Sequence, residues 1–128
     1  MNAASIAAVA LGGAFGSVVR YLVSIYAGRM FGTGFPWGTL FINVSASFIL
    51  GALAEIFALK WHAPTEVRVL LVVGVCGGYS TFSTFSLEVV TLMNRGATVA
   101  AGAYVVASVL LSVGALLAAL RVVRVLIV

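Results

Sequence analysis

The chain has 128 residues, 63% hydrophobic and 8% charged, with a formal net charge of +4 and a mean hydropathy of +1.24. Soluble domains carry about a quarter charged residues, so this composition excludes an aqueous globular fold and points to a membrane protein. Seven Lys and Arg, most of them at the ends of apolar segments, are too few to argue for a nucleic-acid partner.

Crossing the hydrocarbon takes roughly 20 helical residues at about 1.5 Å each. Hydropathy divides the chain into four such segments, near residues 5–28, 37–59, 67–93 and 98–120. The connections GRMFGTGFPW, KWHAPTE and NRGA are short. All of residues 1–128 are therefore expected to form a single transmembrane domain.

The first segment opens with MNAASIAAVALGG, which lacks a basic leading region and stays apolar beyond signal-peptide length, so it reads as a mature helix. Arg20 lies deep within it. A cation at that depth snorkels, binds an anion or pairs with an acid, and a structural or vestibular role is favoured over direct ion ligation.

The second segment starts after Pro36, where a missing N–H is tolerated. Thr39, Asn43 and Ser47 recur at i, i+4 and i+8 and so form one polar stripe. Serine and threonine can satisfy themselves on their own i−4 carbonyls, which leaves a structural role open for either stripe in this chain taken alone. Asn43 is the sharper signal, because its amide carries two donors that its own helix does not readily satisfy. In the following loop, His62 beside Trp61 reads as a solvated interfacial imidazole, and Pro64 marks the next helix start.

The third segment contains GVCGGYSTFSTFSLE, residues 74–88. Glycines and hydroxyls at 77–81 make a poor helix interior and predict a break there. A broken membrane helix leaves carbonyls at one half-helix end and amides at the other. Carbonyls suit a hard cation, whereas amides and hydroxyls suit an anion. Phe82 and Phe85, at i and i+3, share a face, and their ring edges carry the positive part of the quadrupole. Core packing is the ordinary role of such a pair. Cys76 has no second cysteine to pair with and no Cys/His cluster for a metal.

Asn94 and Gly96 read as a helix end before the fourth segment, where Tyr104, Ser108 and Ser112 form a second i, i+4, i+8 stripe. Counted from that end of the bundle, Arg20, Asn43, Glu88 and Tyr104 each lie about seven or eight residues in, roughly 10 to 12 Å. A shared layer is expected, and with it a possible Arg20–Glu88 pair.

Charge barely sets the orientation. One side holds Lys60, Arg68, Arg121 and Arg124 and the other Arg29 and Arg95, with Glu66 and helix-end positions weakening the bias. Two oppositely inserted copies would build, from one sequence, the inverted repeat that larger transporters encode internally. Gly12, Gly13, Gly16, Gly51, Gly102 and Gly114 permit close helix approach, within a subunit as readily as between two.

GTLFINVSASFILG after a short Pro-containing loop, the pattern from Gly16 to Arg20-Tyr21, and GVCGGYSTFSTFSLE together resemble the Fluc (CrcB-type) fluoride-channel family, in motif order and over essentially the whole chain. Ala46 and Ser80 stand where that pattern often has Gly and Thr. The resemblance implies an all-α integral membrane protein of four transmembrane helices with a broken third helix, assembled as an antiparallel dual-topology homodimer. It implies multi-pass residence in the inner (plasma) membrane of a microbial cell, passive fluoride export and fluoride resistance.

Two ion pathways per dimer are implied as well. In them the edges of Phe82 and Phe85 and the amide of Asn43 face the ion, and Ser83, Glu88, Tyr104, Ser108 and Ser112 continue a polar track. Thr39 joins this track from the second-segment stripe. A structural Na⁺ at the dimer centre is implied, held by backbone carbonyls of Gly77 and Ser80. Neutral donors match fluoride, a small, strongly hydrated anion that must be stripped of water yet released, and no spanning segment contains lysine.

The main alternative is a small multidrug-type, proton-coupled four-helix transporter. That chemistry uses an acid in the first helix, where this chain has Arg20 and no acid. A non-transporting scaffold subunit is a further alternative. Cys76, His62 and the three acids are too scattered to suggest an enzyme.

Overall fold

Residues 2–128 are described by a computed structural model, and its regular elements are all helical: α1 (Ala3–Phe31), α2 (Trp37–Leu59), α3 (residues 65–79), α4 (Phe82–Asn94) and α5 (Thr98–Ile127). α3 and α4 are the two arms of one broken span, Thr65–Asn94. With that span counted as one, four helices are long and apolar enough to cross a membrane.

The ends follow local chemistry. Asn2 caps α1 by accepting the Ser5 N–H at 2.8 Å, which satisfies one orphan donor of the first turn. α1 runs past the expected end at residue 28 and stops at Gly32, whose φ of 76° belongs to the left-handed region. Pro36 and Pro64 immediately precede α2 and α3. α4 ends at Asn94, and Gly96 turns the chain with φ 80°.

α5 continues beyond the expected end at residue 120, as far as Ile127. The added turns hold Arg124, whose Nη2 lies 2.8 Å from Glu55 Oε1 of α2. Helix is thus extended because a cation that would mark its end finds a buried carboxylate partner.

The third span departs furthest from expectation. Val69–Cys76 is wound as a π-helix, which the sequence does not signal. The break is also narrower than residues 77–81. Gly77–Tyr79 remain helical, and only Ser80 (ψ 156°) and Thr81 (φ −152°, ψ 124°) are extended. The glycines before the break serve helix contact instead of disrupting the helix. A Cβ on Gly74 would sit 2.9 Å from the Cα of Gly12, and one on Gly78 would sit 2.7 Å from the carbonyl oxygen of Gly13.

α1 therefore meets α3 backbone to backbone, while α2 packs along α5, with Gly51 facing the Leu116 carbonyl and Ala119. Two small cores lie on either side of α2. Ile42, Ala46 and Tyr79 pack with Val19 and Val23, and Leu40, Leu92, Ala101 and Tyr104 pack with Phe35 and Phe85. Gly12, Gly16 and Gly51 are consumed by contacts within the chain, whereas Gly102 and Gly114 face open space.

Candidate functional site

The break is held by side chains from both neighbouring helices. Asn43 of α2 grips Thr81 twice, donating from Nδ2 to the Thr81 carbonyl at 3.0 Å and accepting the Thr81 N–H on Oδ1 at 2.9 Å. Arg20 of α1 donates from Nε to the Gly78 carbonyl at 3.1 Å. Thr81 caps α4, its Oγ1 accepting the Thr84 N–H at 3.2 Å.

Backbone accounting explains what this arrangement frees. In a continuous helix the Thr81 N–H would bond the Gly77 carbonyl, and the Thr84 N–H would bond the Ser80 carbonyl. Here the first goes to Asn43 and the second to the Thr81 hydroxyl. Gly77 and Ser80 thus keep carbonyl oxygens without their helical donors, as does Tyr79, whose helical donor would be the Ser83 N–H, while the Gly78 carbonyl is occupied by Arg20. Gly77 and Ser80 line a small hollow of about 130 Å³ beside Ala46 and Ser47.

A larger groove of about 310 Å³ runs between the break and α5, lined by Asn43, Ser47, Phe82, Phe85, Ser108 and Ser112 among others. Asn43 bonds Thr81 with one amide N–H, and a second remains. The hydroxyls of Ser108 and Ser112 are buried with no partner. Buried hydroxyls are nearly always paired, so two unpaired ones at one site call for an explanation. Phe82 is 75% exposed, and its ring centroid lies 5.4 Å from that of Phe85.

A second hollow of about 330 Å³ is lined by Thr39, Thr84, Glu88, Thr91 and Arg95 among others. The Phe85 ring centroid is 5.0 Å from that of Tyr104, and the Tyr104 hydroxyl donates to Glu88 Oε1 at 3.0 Å. Phe35 meets Tyr104 edge-on at 5.4 Å. A chain of contacts thus runs from Phe85 in the groove through Tyr104 to Glu88 in the second hollow.

The expected layer of Arg20, Asn43, Glu88 and Tyr104 is joined in separate groups. Arg20 and Asn43 hold the break, while Glu88 and Tyr104 hold each other, and among the described residues Arg20 and Glu88 form no ion pair. Backbone carbonyls released at a break compete for a cation, and here the Gly78 oxygen takes the guanidinium. Thr39 is buried and lines the second hollow. Ser83 is exposed and 3.5 Å from the Thr81 hydroxyl, outside the groove lining.

Sequence reasoning missed Thr81 as the hinge of the site, although Thr81 followed by Thr84 at the start of a resumed helix carries a capping signal. It also missed the hydroxyl bond between Tyr79 and Ser45, 2.8 Å long. Helical periodicity carries no trace of that bond.

Comparison with known proteins gives a consistent result. Residues 7–120 match the family model described as CrcB-like protein, Camphor Resistance (CrcB). The chain is 59% identical over 121 residues to the fluoride-specific ion channel FluC 1 of Nitrobacter hamburgensis, covering 94% of this chain and 96% of that one. The fluoride-specific ion channel FluC of Nitrobacter winogradskyi is 57% identical, with 94% and 95% covered. That of Rhodospirillum centenum is 51% identical, with 93% and 94% covered.

Proposed function

Because the chain belongs to the CrcB family, we propose that it is a multi-pass membrane channel selective for fluoride, and not an enzyme. The observation that carries this reading is the groove, where a spare amide N–H of Asn43, two unpartnered serine hydroxyls and phenylalanine rings converge. Dehydrated fluoride needs such donors, and neutral ones hold it weakly enough for release.

Transport is passive. The side chains lining the groove are Asn, Ser, Thr, Phe and Val, none of which titrates in the physiological range. Glu88, the acid nearest the break, lines the other hollow and accepts a hydrogen bond from Tyr104. This disfavours a proton-coupled multidrug transporter, which needs a titrating acid where its substrate binds. The chain sits in the inner membrane of a bacterial cell, exports fluoride and gives fluoride resistance.

The working unit is an antiparallel homodimer with two pathways. One chain leaves the groove open on a side where Phe82 is exposed, and it leaves Gly77 exposed as well. A second copy, inverted about a two-fold axis in the membrane, would close both. Phe82 and Phe85 turn ring edges to the ion, Asn43, Ser108 and Ser112 donate to it, and Thr39, Ser83, Glu88 and Tyr104 extend the polar track.

A structural Na⁺ fits the break. The Gly77 and Ser80 carbonyls have lost their helical donors, and two copies would present four such oxygens, a donor set suited to a hard cation. When bound, that ion supplies the positive charge that would bind the two breaks together at the dimer centre.

The test is reconstitution in liposomes loaded with potassium fluoride or potassium chloride, with valinomycin added and efflux followed by ion-selective electrodes. Rapid fluoride release with negligible chloride release, and no requirement for a pH gradient, is expected. Phe82→Ile and Phe85→Ile should each slow fluoride release while the dimer persists on size exclusion. Wild-type flux in both variants removes the rings from the mechanism, and no release of either ion from folded protein overturns the channel.

A further inference from the structure

Three residues at or beside the break are tied down from outside. Arg20 holds the carbonyl of residue 78, Asn43 holds both backbone groups of residue 81, and Ser45 holds the side chain of residue 79. The last tie has a definite direction. Ser45 Oγ lies 2.7 Å from the Phe41 carbonyl, which can only accept, so the serine proton goes there. The Tyr79 hydroxyl, 2.8 Å away, must then be the donor and Ser45 the acceptor.

Tyr79 is 9% exposed, and its ring packs with Ile42 and Ala46 of α2 and with Val19 and Val23 of α1. It is also the last helical residue of α3, placed between Gly77 and Ser80. Rotation about its φ or ψ turns the Ser80 carbonyl relative to that of Gly77, so fixing Tyr79 fixes the angle between the two. We infer that Tyr79 and Ser45 are a positioning pair, which locks the end of α3 onto α2 and aims the Gly77 and Ser80 carbonyls at the structural cation. This rests on the cation site proposed above, and the two are tested separately.

The experiment is thermal unfolding of the purified full-length dimer in detergent. It is titrated with NaCl against N-methyl-glucamine chloride at constant ionic strength, with fluoride flux measured in parallel. Tyr79→Phe keeps the ring and removes the donor, Ser45→Ala removes the acceptor, and Ser45→Thr restores it. One lost hydrogen bond of ordinary strength should raise the Na⁺ concentration for half-maximal stabilisation about fivefold in the first two variants. The threonine variant should match wild type.

The Tyr79→Phe/Ser45→Ala double variant should shift no further than either single one, because both remove the same bond. A uniform fall in melting temperature with an unchanged Na⁺ midpoint would reduce the pair to ordinary packing and overturn the inference. A wild-type protein that conducts fluoride but melts identically in both salts would overturn the cation site, and the inference with it, while leaving the channel standing.

Discussion

The seam between α1 and α3 and the groove between the break and α5 are both lined by small residues, yet the chain treats them in opposite ways. In the seam, glycine meets glycine until no space is left. A Cβ on Gly16 would lie 2.8 Å from the Tyr79 backbone nitrogen, and one on Gly74 would lie 2.9 Å from Gly12. In the groove, serines take the place of glycines, and the hydroxyls of Ser108 and Ser112 are buried without partners. Close packing spends every contact on stability. Unpaired hydroxyls in an apolar medium lower stability unless a ligand completes them. The seam is a scaffold by this criterion, and the groove carries polar groups that the proposed ion would complete.

The largest effect expected from this contrast is loss of the fold on filling the seam. Gly16→Val places branched carbons against the backbone of Val75, Gly78 and Tyr79, which cannot retreat like a flexible side chain. Overpacking costs about 1–3 kcal/mol even where side chains can yield. No monodisperse protein should survive extraction and size exclusion. Gly102→Val, on a helix face where an added Cβ meets nothing within 4 Å, should leave the fold of each subunit intact. A well-folded Gly16→Val protein would show that the seam is not the scaffold.

A smaller effect separates the two regions at their junction. Asn43 belongs to the groove lining but is also bonded to the break. Asn43→Asp retains an acceptor for the Thr81 N–H and loses the donors, whereas Asn43→Ala loses both. Fluoride flux in liposomes should fall about tenfold or more in the aspartate variant, where a lost donor and an added negative charge both act on the anion. The alanine variant should lose more thermal stability than the aspartate one, because it strands the Thr81 N–H in addition to the C=O that both leave unpaired. Equal stability loss in the two would place Asn43 with the scaffold alone.

The legibility of these regions differs for a physical reason. Apolar length and the positions of Pro36, Pro64, Asn94 and Gly96 record helix existence and ends, since a proline or a left-handed glycine constrains its own backbone. Polar residues at i, i+4 and i+8 likewise show a face, so Asn43, Ser47, Ser108 and Ser112 could be grouped without coordinates. What stayed hidden depends on pairs far apart in sequence. Arg124 extends α5 because Glu55 waits on α2, and Arg20 turns to Gly78 instead of Glu88 because the break offers a freed carbonyl. The π-helical turns of Val69–Cys76 are equally silent in the composition of that stretch. Matched depth, used to join Arg20 with Glu88, gives height along the membrane normal and not azimuth.

The smallest effect is the most discriminating, because its two readouts move in opposite senses. Ser108 and Ser112 lie on one face of α5 at the groove wall, and each buries a hydroxyl that bonds nothing among the described residues. Removing a hydrogen-bonded polar group from a protein interior usually destabilises, but removing an unsatisfied one of nearly the same shape is close to neutral or stabilising. Ser108→Ala/Ser112→Ala should therefore unfold at the same temperature as wild type or slightly higher. Fluoride flux should nevertheless drop severalfold, since each hydroxyl offers the dehydrated anion a donor worth about 1 kcal/mol net. The serines belong to the ion if melting temperature and flux diverge in this way. If both fall together, a partner from the second copy satisfies these hydroxyls, and the groove wall at α5 is part of the dimer scaffold.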